Sequence, residues 1–559
     1  MNVDAATEPR RTVKRSGDRA FLVDLGSLEG AMGLRAQLEE HPPSGVSDVV
    51  AAARTVLVVA RSPRFVRPLI EYVESLNASG RSGRIGRTIR IPVSYEGEDL
   101  RETAARMGRS VESLIGWHSS GTWTAAFTGF APGFVYLVGE SGVRVPRRES
   151  PRTSVPAGSV GLADNYSAVY PRSSPGGWQL IGRTDETLWD ESLADPARIH
   201  PGDRVRFVPV RHPITGSVPR VEPVAPIERD RADVVIVQPG VGATIQDLGR
   251  PGHAVLGVGP AGAMDRSSFR QANRLVGNYA GQAAIEALGA GFSIRAETDQ
   301  VVAVTGAAGR LAIRSATDRT ARFGPRNPAV RTPFVLLAGE ELTIAEADRG
   351  IWSYAAIRGG IDAPAVLESR SRDTHSGIGP SPLAPGDGLV IRAADVSAVA
   401  SNPEGELRST VQDTELRSTA PETELRSAAQ ETDLRVIPGP REDWFTTDAV
   451  DALFSETWTV SNRFSRMASR LTGRPLERAV QDELQSEGIV RGSIQVPPDG
   501  QPLIFGADHP VTGGYPVIGV IVDADLDTAA QLGPGARVRF VRNARAETDD
   551  GQQERRADS

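Results

Sequence analysis

The sequence predicts a mainly β protein with a small α/β domain at its N-terminus and two copies of one β-rich module. Three observations lead there. A phrase is written twice: "PRSSPGGWQLIGRT" at 171–184 and "HPVTGGYPVIGVI" at 509–521 share Gly-Gly-aromatic, a two-residue gap and Ile-Gly. Each is followed by a Pro-Gly turn and a V-R-F strand, "HPGDRVRFVPV" in the first half and "LGPGARVRFVRN" in the second. The 58 Gly and 40 Pro favour many short strands and turns over long helices. A duplicated module explains both matches better than chance.

In chain order, residues 1–18 are polar and read as a disordered start. Residues 19–95 alternate as strand and helix: "RAFLVDLG" as a strand, "SLEGAMGLRAQLEEH" as a helix opened by Ser27, and "SDVVAAARTVLVVAR" as two strands. "RFVRPLIEYVESL" has apolar residues at helical spacing and "RTIRIPVSY" closes as a strand, giving the order βαββαβ. Residues 96–215 form the first β-rich module, and 216–232, rich in Pro and charge, a linker. The second half runs from 233 to 400 and from 436 to 545, with a disordered 546–559 after it. Between its parts, 401–435 holds the nonapeptides "ELRSTVQDT", "ELRSTAPET" and "ELRSAAQET" and a fourth copy begun by "DLR". Nine polar residues match no heptad or common solenoid period, so this reads as an exposed insert without a site.

Composition narrows the chemistry. At 559 residues and net charge −7, the chain has several cores and no case for nucleic acid or an anionic membrane as partner. With no cysteine, disulfides, thiolate nucleophiles and sulfur-bound zinc are excluded. Lys14 is the one lysine, which disfavours a Walker-type loop, a Schiff base and a biotin carried on this chain. No apolar run approaches the roughly 20 residues that span a bilayer and the N-terminus lacks a signal-peptide core, so the expected location is cytoplasmic.

Few stretches carry chemistry. "GVGPAG" at 257–262 matches a dinucleotide fingerprint formally, but a tight turn is the better reading. Behind it Asp265 can cap the helix "RSSFRQANRLV" and Gly277 can stop it, leaving amide donors for an anion. "VPRRESPRTSVPAGSVG" gathers Arg147, Arg148 and Arg152 in a loop suited to carboxylates or phosphates. His118 enters a strand-like segment, and "FTGFAPGFVYL" places aromatics around a Pro-Gly turn.

The phrases together resemble a family. "IPVSYEGEDL", "GFAPGFVYL", "PRRESPRTSVPAGSVGLA" and "SPGGWQLIGRT" resemble the KipI family, the B subunit of bacterial ATP-dependent 5-oxoprolinase. "GATIQDLGRPG", "GAMDRSSFRQANRLVGN", "AAIRGGID", "SEGIVRGSIQVPPDGQPLIF" and "TGGYPVIG" are similar to the KipA family, its C subunit. These are also called allophanate hydrolase subunits 1 and 2, and the pair is related to the carboxyltransferase part of urea carboxylase. "LESRSRD" stands where the family usually has Leu-Gly-Ser-Arg-Ser-Thr, and Ser94 where it usually has cysteine.

The resemblance implies cyclophilin-like β-barrels in both halves and a fused B–C component that opens 5-oxo-L-proline to L-glutamate with ATP hydrolysis. ATP with Mg²⁺ is the implied cofactor set, and a separate LamB/YcsF-like A subunit the implied partner, with self-association left open. Two alternatives stand beside it: the carboxyltransferase component of a urea or amide carboxylase, with biotin supplied by a partner, and a histidine-kinase-binding regulator. Catalytic candidates are His118 for proton transfer, Arg147, Arg152 and Arg250 for developing negative charge, and Asp247 as a carboxylate. Asp265, Glu286 and Asp508 are further carboxylates for substrate, base or metal, with Gln495 beside them. The expected site is a cleft shared by the two modules, with Trp178 and Tyr515 on opposite walls.

Overall fold

The computed structural model describes residues 11–76, 86–139, 143–148, 150–211, 232–315, 324–345, 347–393 and 431–543. The linker 216–232, except its last residue, and the insert up to residue 430 lie outside them.

A four-stranded antiparallel sheet begins the chain, in the order Thr12–Arg15, Ala20–Asp24, Thr55–Ala60, Val46–Ala51. Part of the stretch expected to be disordered, residues 12–15, is thus an edge strand. Helices Leu28–Glu40, capped by Ser27, and Val66–Ser75 bury Leu34, Leu38, Leu69 and Val73 against one face. Every residue of Ala20–Asp24 is buried, because the other face also has a cover. There Ala20, Leu22, Val50 and Leu57 pack on Ala254 and Val511 of the second half. The last strand of the predicted βαββαβ unit, Thr88–Val93, leaves this sheet for the next one. Its alternating Ile89, Ile91 and Val93 fill the neighbouring core beside Val205 and Phe207.

That next sheet has seven strands, from Gln179–Arg183 at one edge to Thr88–Val93 at the other. Paired amides and carbonyls of Ser94 and Arg183 join the two edges and all but close a barrel. In the second half, two five-stranded sheets pack over a Val, Ile and Leu core, and a closed seven-stranded barrel follows.

The two barrels repeat each other in detail. Arg204–Pro209 runs parallel to Thr88–Val93, and Arg537–Arg542 parallel to Thr432–Pro438. Ahead of each barrel's tryptophan strand stands a capped helix, Val111–Ser120 behind Ser110 and Thr447–Ser455 behind Thr446. Trp123 then donates Nε1–H to the His118 carbonyl at 3.0 Å, and Trp458 to the Leu453 carbonyl at 3.2 Å, each five residues back. The repeated Ile-Gly follows from packing. A side chain at Gly182 would meet Val93 Cγ1 at 2.7 Å, and one at Gly519 would meet Val436 Cγ1 at 2.6 Å. The "DLR" that begins the fourth nonapeptide belongs to a barrel strand, with Leu434 buried against the core.

A buried ionic cluster ties the small sheet to the closed barrel. Arg441 reaches Asp24 at 3.0 Å and also holds Glu487, while Arg54 takes Asp24 at 2.8 Å. Burial pushes the Asp24 carboxyl up, but its bonds to Arg54 and Arg441 outweigh this and bring it down to about 2. The unfolded chain titrates Asp near 3.9, so this contribution is complete above about pH 4 and is lost as pH falls toward 2. Acid unfolding of Asp24→Asn should therefore have a weaker pH dependence between 4 and 2 than the parent, measured by tryptophan fluorescence. Among the described residues, no helix is long and apolar enough to cross a membrane.

Candidate functional site at the junction of the halves

The site builds from a buried ion network. Arg466, on the turn between two barrel strands, binds Asp508 through both ends of its guanidinium at 2.8 and 2.9 Å and also holds Glu286. Glu286 and Asp508 have fully buried side chains. Glu286 also accepts from the Met264 amide at 2.7 Å and the Tyr354 hydroxyl at 2.8 Å. Tyr354 oxygen accepts from the Asp265 amide, and Asp265 caps its helix through Ser268 as the sequence predicts. Three predicted carboxylates thus meet in one network. Two of them are already paired with Arg466, so they do not fit a metal-ligand role. Among the described residues, no group of three or more His, Asp or Glu is placed to hold a metal ion.

Beside this network runs an arginine-rich seam. Asp247 accepts from the hydroxyls of Ser369 and Ser371 at 2.7 and 2.5 Å and from the Arg370 amide at 2.6 Å, which fixes the segment 369–373. Arg250 is 2% exposed and bonds to the carbonyls of Val366 and Ser371, leaving Nη1 without a partner. Arg372 bonds to the carbonyls of Gly377 and Gly379, and Arg172, from the first half, to the His375 carbonyl at 3.3 Å. No carboxylate of the described residues comes within ion-pair distance of any of the three. Gly377 and Gly379, at φ 73° and 85°, carry the loop beside them through the left-handed region. A side chain at Gly377 would meet Arg172 at 3.5 Å and Arg372 at 3.9 Å; one at Gly379 would strike the Ser371 carbonyl oxygen at 2.2 Å before reaching Arg250. Three guanidiniums that no carboxylate bonds directly, with Asp373 and Glu191 acting on all three only across space, suit a carboxylate, a phosphate or a developing oxyanion.

Two acids under this seam are driven apart. Burial, and then the neighbouring Asp508, raise the Asp373 carboxyl. Asp508 is pushed up by burial, but Arg466 and the bonds from Thr374 prevail and hold it low. Such a divided pair provides one proton carrier and one standing anion.

The segment also stores strain. Val366 and Ser369 bridge across a two-residue turn whose central residues, Leu367 and Glu368, have φ of 51° and 64°. Such turns favour Asn-Gly, and a side chain in the left-handed region costs about 1–2 kcal/mol. Glu368→Gly should raise stability by about 1 kcal/mol on that scale, read as a higher thermal midpoint.

The other predicted residues lie elsewhere. His118 is on the last turn of a helix, not in a strand-like segment: the apolar spacing of Leu114 and His118 buries one helical face. Its ring stacks on Phe207, with Tyr95 hydroxyl on Nδ1 at 2.7 Å and Ser167 hydroxyl on Nε2 at 2.9 Å. Burial lowers its pKa to about 3, so it is neutral in this place. Arg148 and Arg152 pair with Asp99 at 2.7 and 2.9 Å. Arg147 faces Glu483 of the second half at 3.1 Å across a cleft of about 420 Å³ lined also by Tyr136, Tyr166 and Arg144. That cleft is shared by the halves, yet Trp178 and Tyr515 do not line it. Trp178 is 6% exposed and packs behind Tyr136, and Tyr515 is exposed beneath Arg478. Gln495 donates to the Tyr515 carbonyl and holds that turn. Arg172, Arg372, Asp373 and Arg466 escaped the sequence reading, although "LESRSRD" contains two of them.

Comparison with known proteins adds the family. Residues 256–542 match the carboxyltransferase domain, subdomain A and B, and residues 11–199 match the carboxyltransferase domain, subdomain C and D. The chain belongs to the carboxyltransferase-domain family. This carboxyltransferase-domain chain is 32% identical over 306 residues to the 5-oxoprolinase C subunit of Escherichia coli, covering 55% of itself and 90% of that protein. It is 45% identical over 222 residues to the 5-oxoprolinase B subunit of Bacillus subtilis, covering 36% of itself and 92% of that protein. The urea amidolyase of Saccharomyces cerevisiae is 30% identical over 321 residues, but the chain spans only 16% of it. The crystal structure of TTHA0988 has 30% identity and a TM-score of 0.77, over 94% of this chain and 99% of that one. Fold and family agree with the resemblance read from the sequence motifs.

Proposed function

We propose that this chain is the fused B and C component of an ATP-dependent 5-oxoprolinase and that the seam at Arg172, Arg250 and Arg372 is its reaction site. One observation carries the reading. A half like the 5-oxoprolinase B subunit and a half like its C subunit, each matching nearly a whole separate protein, are joined in one chain and share this seam. The substrate class is a small lactam with a carboxylate. A lactam is a stabilised amide, and transfer of a phosphoryl group from ATP to its oxygen turns that oxygen into a leaving group. Water then attacks the carbon, the C–N bond opens as the ring nitrogen takes a proton, a second water hydrolyses the resulting acyl phosphate, and glutamate, ADP and phosphate result.

The chain's own residues have definable parts in this. Two guanidiniums bind the substrate carboxylate, and the third meets negative charge as it develops on the lactam oxygen. Asp373 delivers a proton to the ring nitrogen as the C–N bond opens, and Asp508 stays ionised against Arg466. The arginines fit phosphate and carboxylate groups; no lysine-bearing phosphate loop is available, since the only lysine, Lys14, pairs with Asp443. Nucleotide and Mg²⁺ binding therefore fall mainly to the A subunit.

The test is release of glutamate and ADP from 5-oxoproline and ATP, by the chain alone, by the A subunit alone and by both. Turnover is expected only from the combination. Full turnover by the chain alone contradicts the division of labour. The urea amidolyase likeness favours a second reading, transfer of a carboxyl group from a partner's biotin to an amide nitrogen. Co-purification of a biotinylated protein, with biotin-dependent carboxylation of urea and no glutamate release, would establish it instead.

A further inference from the structure

A second, smaller cavity of about 130 Å³ lies where the small N-terminal sheet meets the closed barrel. Its size is near that of a 150 Å³ cavity that takes up benzene, so it holds one small molecule and not a nucleotide. Arg266 and Arg491 both line it. The Arg491 side chain is only 7% exposed, and its Nη2 bonds to the carbonyls of Met264 and Leu526, while Nη1 has no partner. The Arg266 guanidinium has no hydrogen bond or ion pair with any described residue, and its Nε is buried unpaired. A buried guanidinium without a bonded partner, as at Arg266, is costly, and a second cation beside it adds to the cost. Burial, and then Arg491, lower Arg266 to about 9, far below an ordinary arginine.

The surrounding acids compensate these cations only in part: Asp523 and Asp527 act on Arg266 across space, but none bonds its guanidinium. Asp523 pairs with Arg19 at 2.9 Å, and Asp18 accepts from the Asp523 amide at 3.1 Å. Asp48 accepts from the amides of Gly252 and Ala254, and Asp527 from those of Arg266 and Ser267. Asp527 stays 3.8 Å from Arg491. His509 also lines the cavity; its Nδ1–H donates to the Pro510 carbonyl at 2.8 Å, and burial lowers its pKa to about 4, so Nε2 is left as an acceptor.

We infer that this cavity is a binding site for a small oxyanion that carries a hydroxyl, of the hydrogenphosphate or bicarbonate kind, held by Arg266 and Arg491 with its hydroxyl turned to His509. The site uses arginines other than those of the seam and joins the N-terminal sheet to the second half, so occupancy also braces that junction. It stands independently of the reaction proposed above.

The test is thermal unfolding and calorimetric titration of the full chain with phosphate, with bicarbonate, and with acetate or chloride at matched ionic strength. Saturable binding of phosphate or bicarbonate, with a higher unfolding midpoint and no such effect of acetate or chloride, is the expected result; the tighter of the two identifies the ion. Arg266→Gln should weaken that binding at least tenfold. In anion-free buffer, Arg266→Met should unfold at the same or a higher temperature than the parent, because it removes an unpaired buried charge. Absence of saturable binding, or binding unchanged in Arg266→Gln, overturns the inference. So does a lower midpoint of Arg266→Met without anion, since it would mean the guanidinium already has its partner.

Discussion

Replacing Arg466 with leucine should cost the protein about 3–5 kcal/mol, the range for removing one partner of a buried ion pair. The reason lies in what is left behind. Glu286 and Asp508 would remain with no cation and no exposed surface, and Asp508 would also lose its bidentate bonds. Burial already raises the Glu286 carboxyl even with Arg466 present, and without that guanidinium burial would favour the protonated form of both acids. Adding Glu286→Gln and Asp508→Asn to Arg466→Leu should restore part of the loss, since the uncompensated charges go with it. Thermal unfolding of the single and triple variants checks this. Equal midpoints for Arg466→Leu and the parent would mean the network does not hold the sheet of Glu286 and Tyr354 to the barrel.

Asp373→Asn should lower turnover of the reconstituted enzyme about 10²–10⁴-fold, the usual contribution of a positioned proton donor. Asparagine keeps the shape: its Oδ1 can still accept from the amides of His375 and Ser376, and its Nδ2 can donate to the Ser376 hydroxyl that Asp373 accepts from. The fold should therefore survive. A structural role alone would leave the pH profile unchanged. A proton-carrying role requires the parent's alkaline limb, set by the raised Asp373 carboxyl, to vanish in the variant.

Much of the architecture was legible because it is written in local signals. Turn residues, alternating strands and the repeated Gly-Gly-aromatic phrase led to two related β modules, and Ser27 and Asp265 marked their helix starts correctly. Local signals fail where a strand's partner is distant. Thr88–Val93 alternates as any edge strand does, and only Val205 and Phe207, over a hundred residues away, decide which sheet receives it. The fully buried Ala20–Asp24 gave a continuous apolar run because the second half covers its outer face, a contact no periodicity reports.

The site was legible in part for a similar reason. Asp247, Arg250, Asp265, Glu286 and Asp508 stand in stretches whose Gly and Pro advertise tight turns, and these turns converge at the junction. The arginine loop at 147–152 drew attention by charge density, yet two of its arginines are spent on Asp99. Charge in sequence does not tell whether a guanidinium is already paired. Arg172, Arg372 and Asp373 carried no such density, and their significance lies in guanidiniums that no carboxylate bonds directly.

The central claim is that both halves build one site, and Arg172 is where the first half enters it. The most direct measurement is turnover per folded molecule of Arg172→Ala in the full chain combined with the A subunit. Arg172 bonds only to the His375 carbonyl, so its loss should leave the unfolding midpoint within a few degrees of the parent. A site built by both halves predicts a fall in kcat/KM of about 10²–10³, the magnitude of losing one charge-stabilising donor. Unchanged kcat/KM at an unchanged midpoint would contradict it, and would place the reaction outside the seam between the halves.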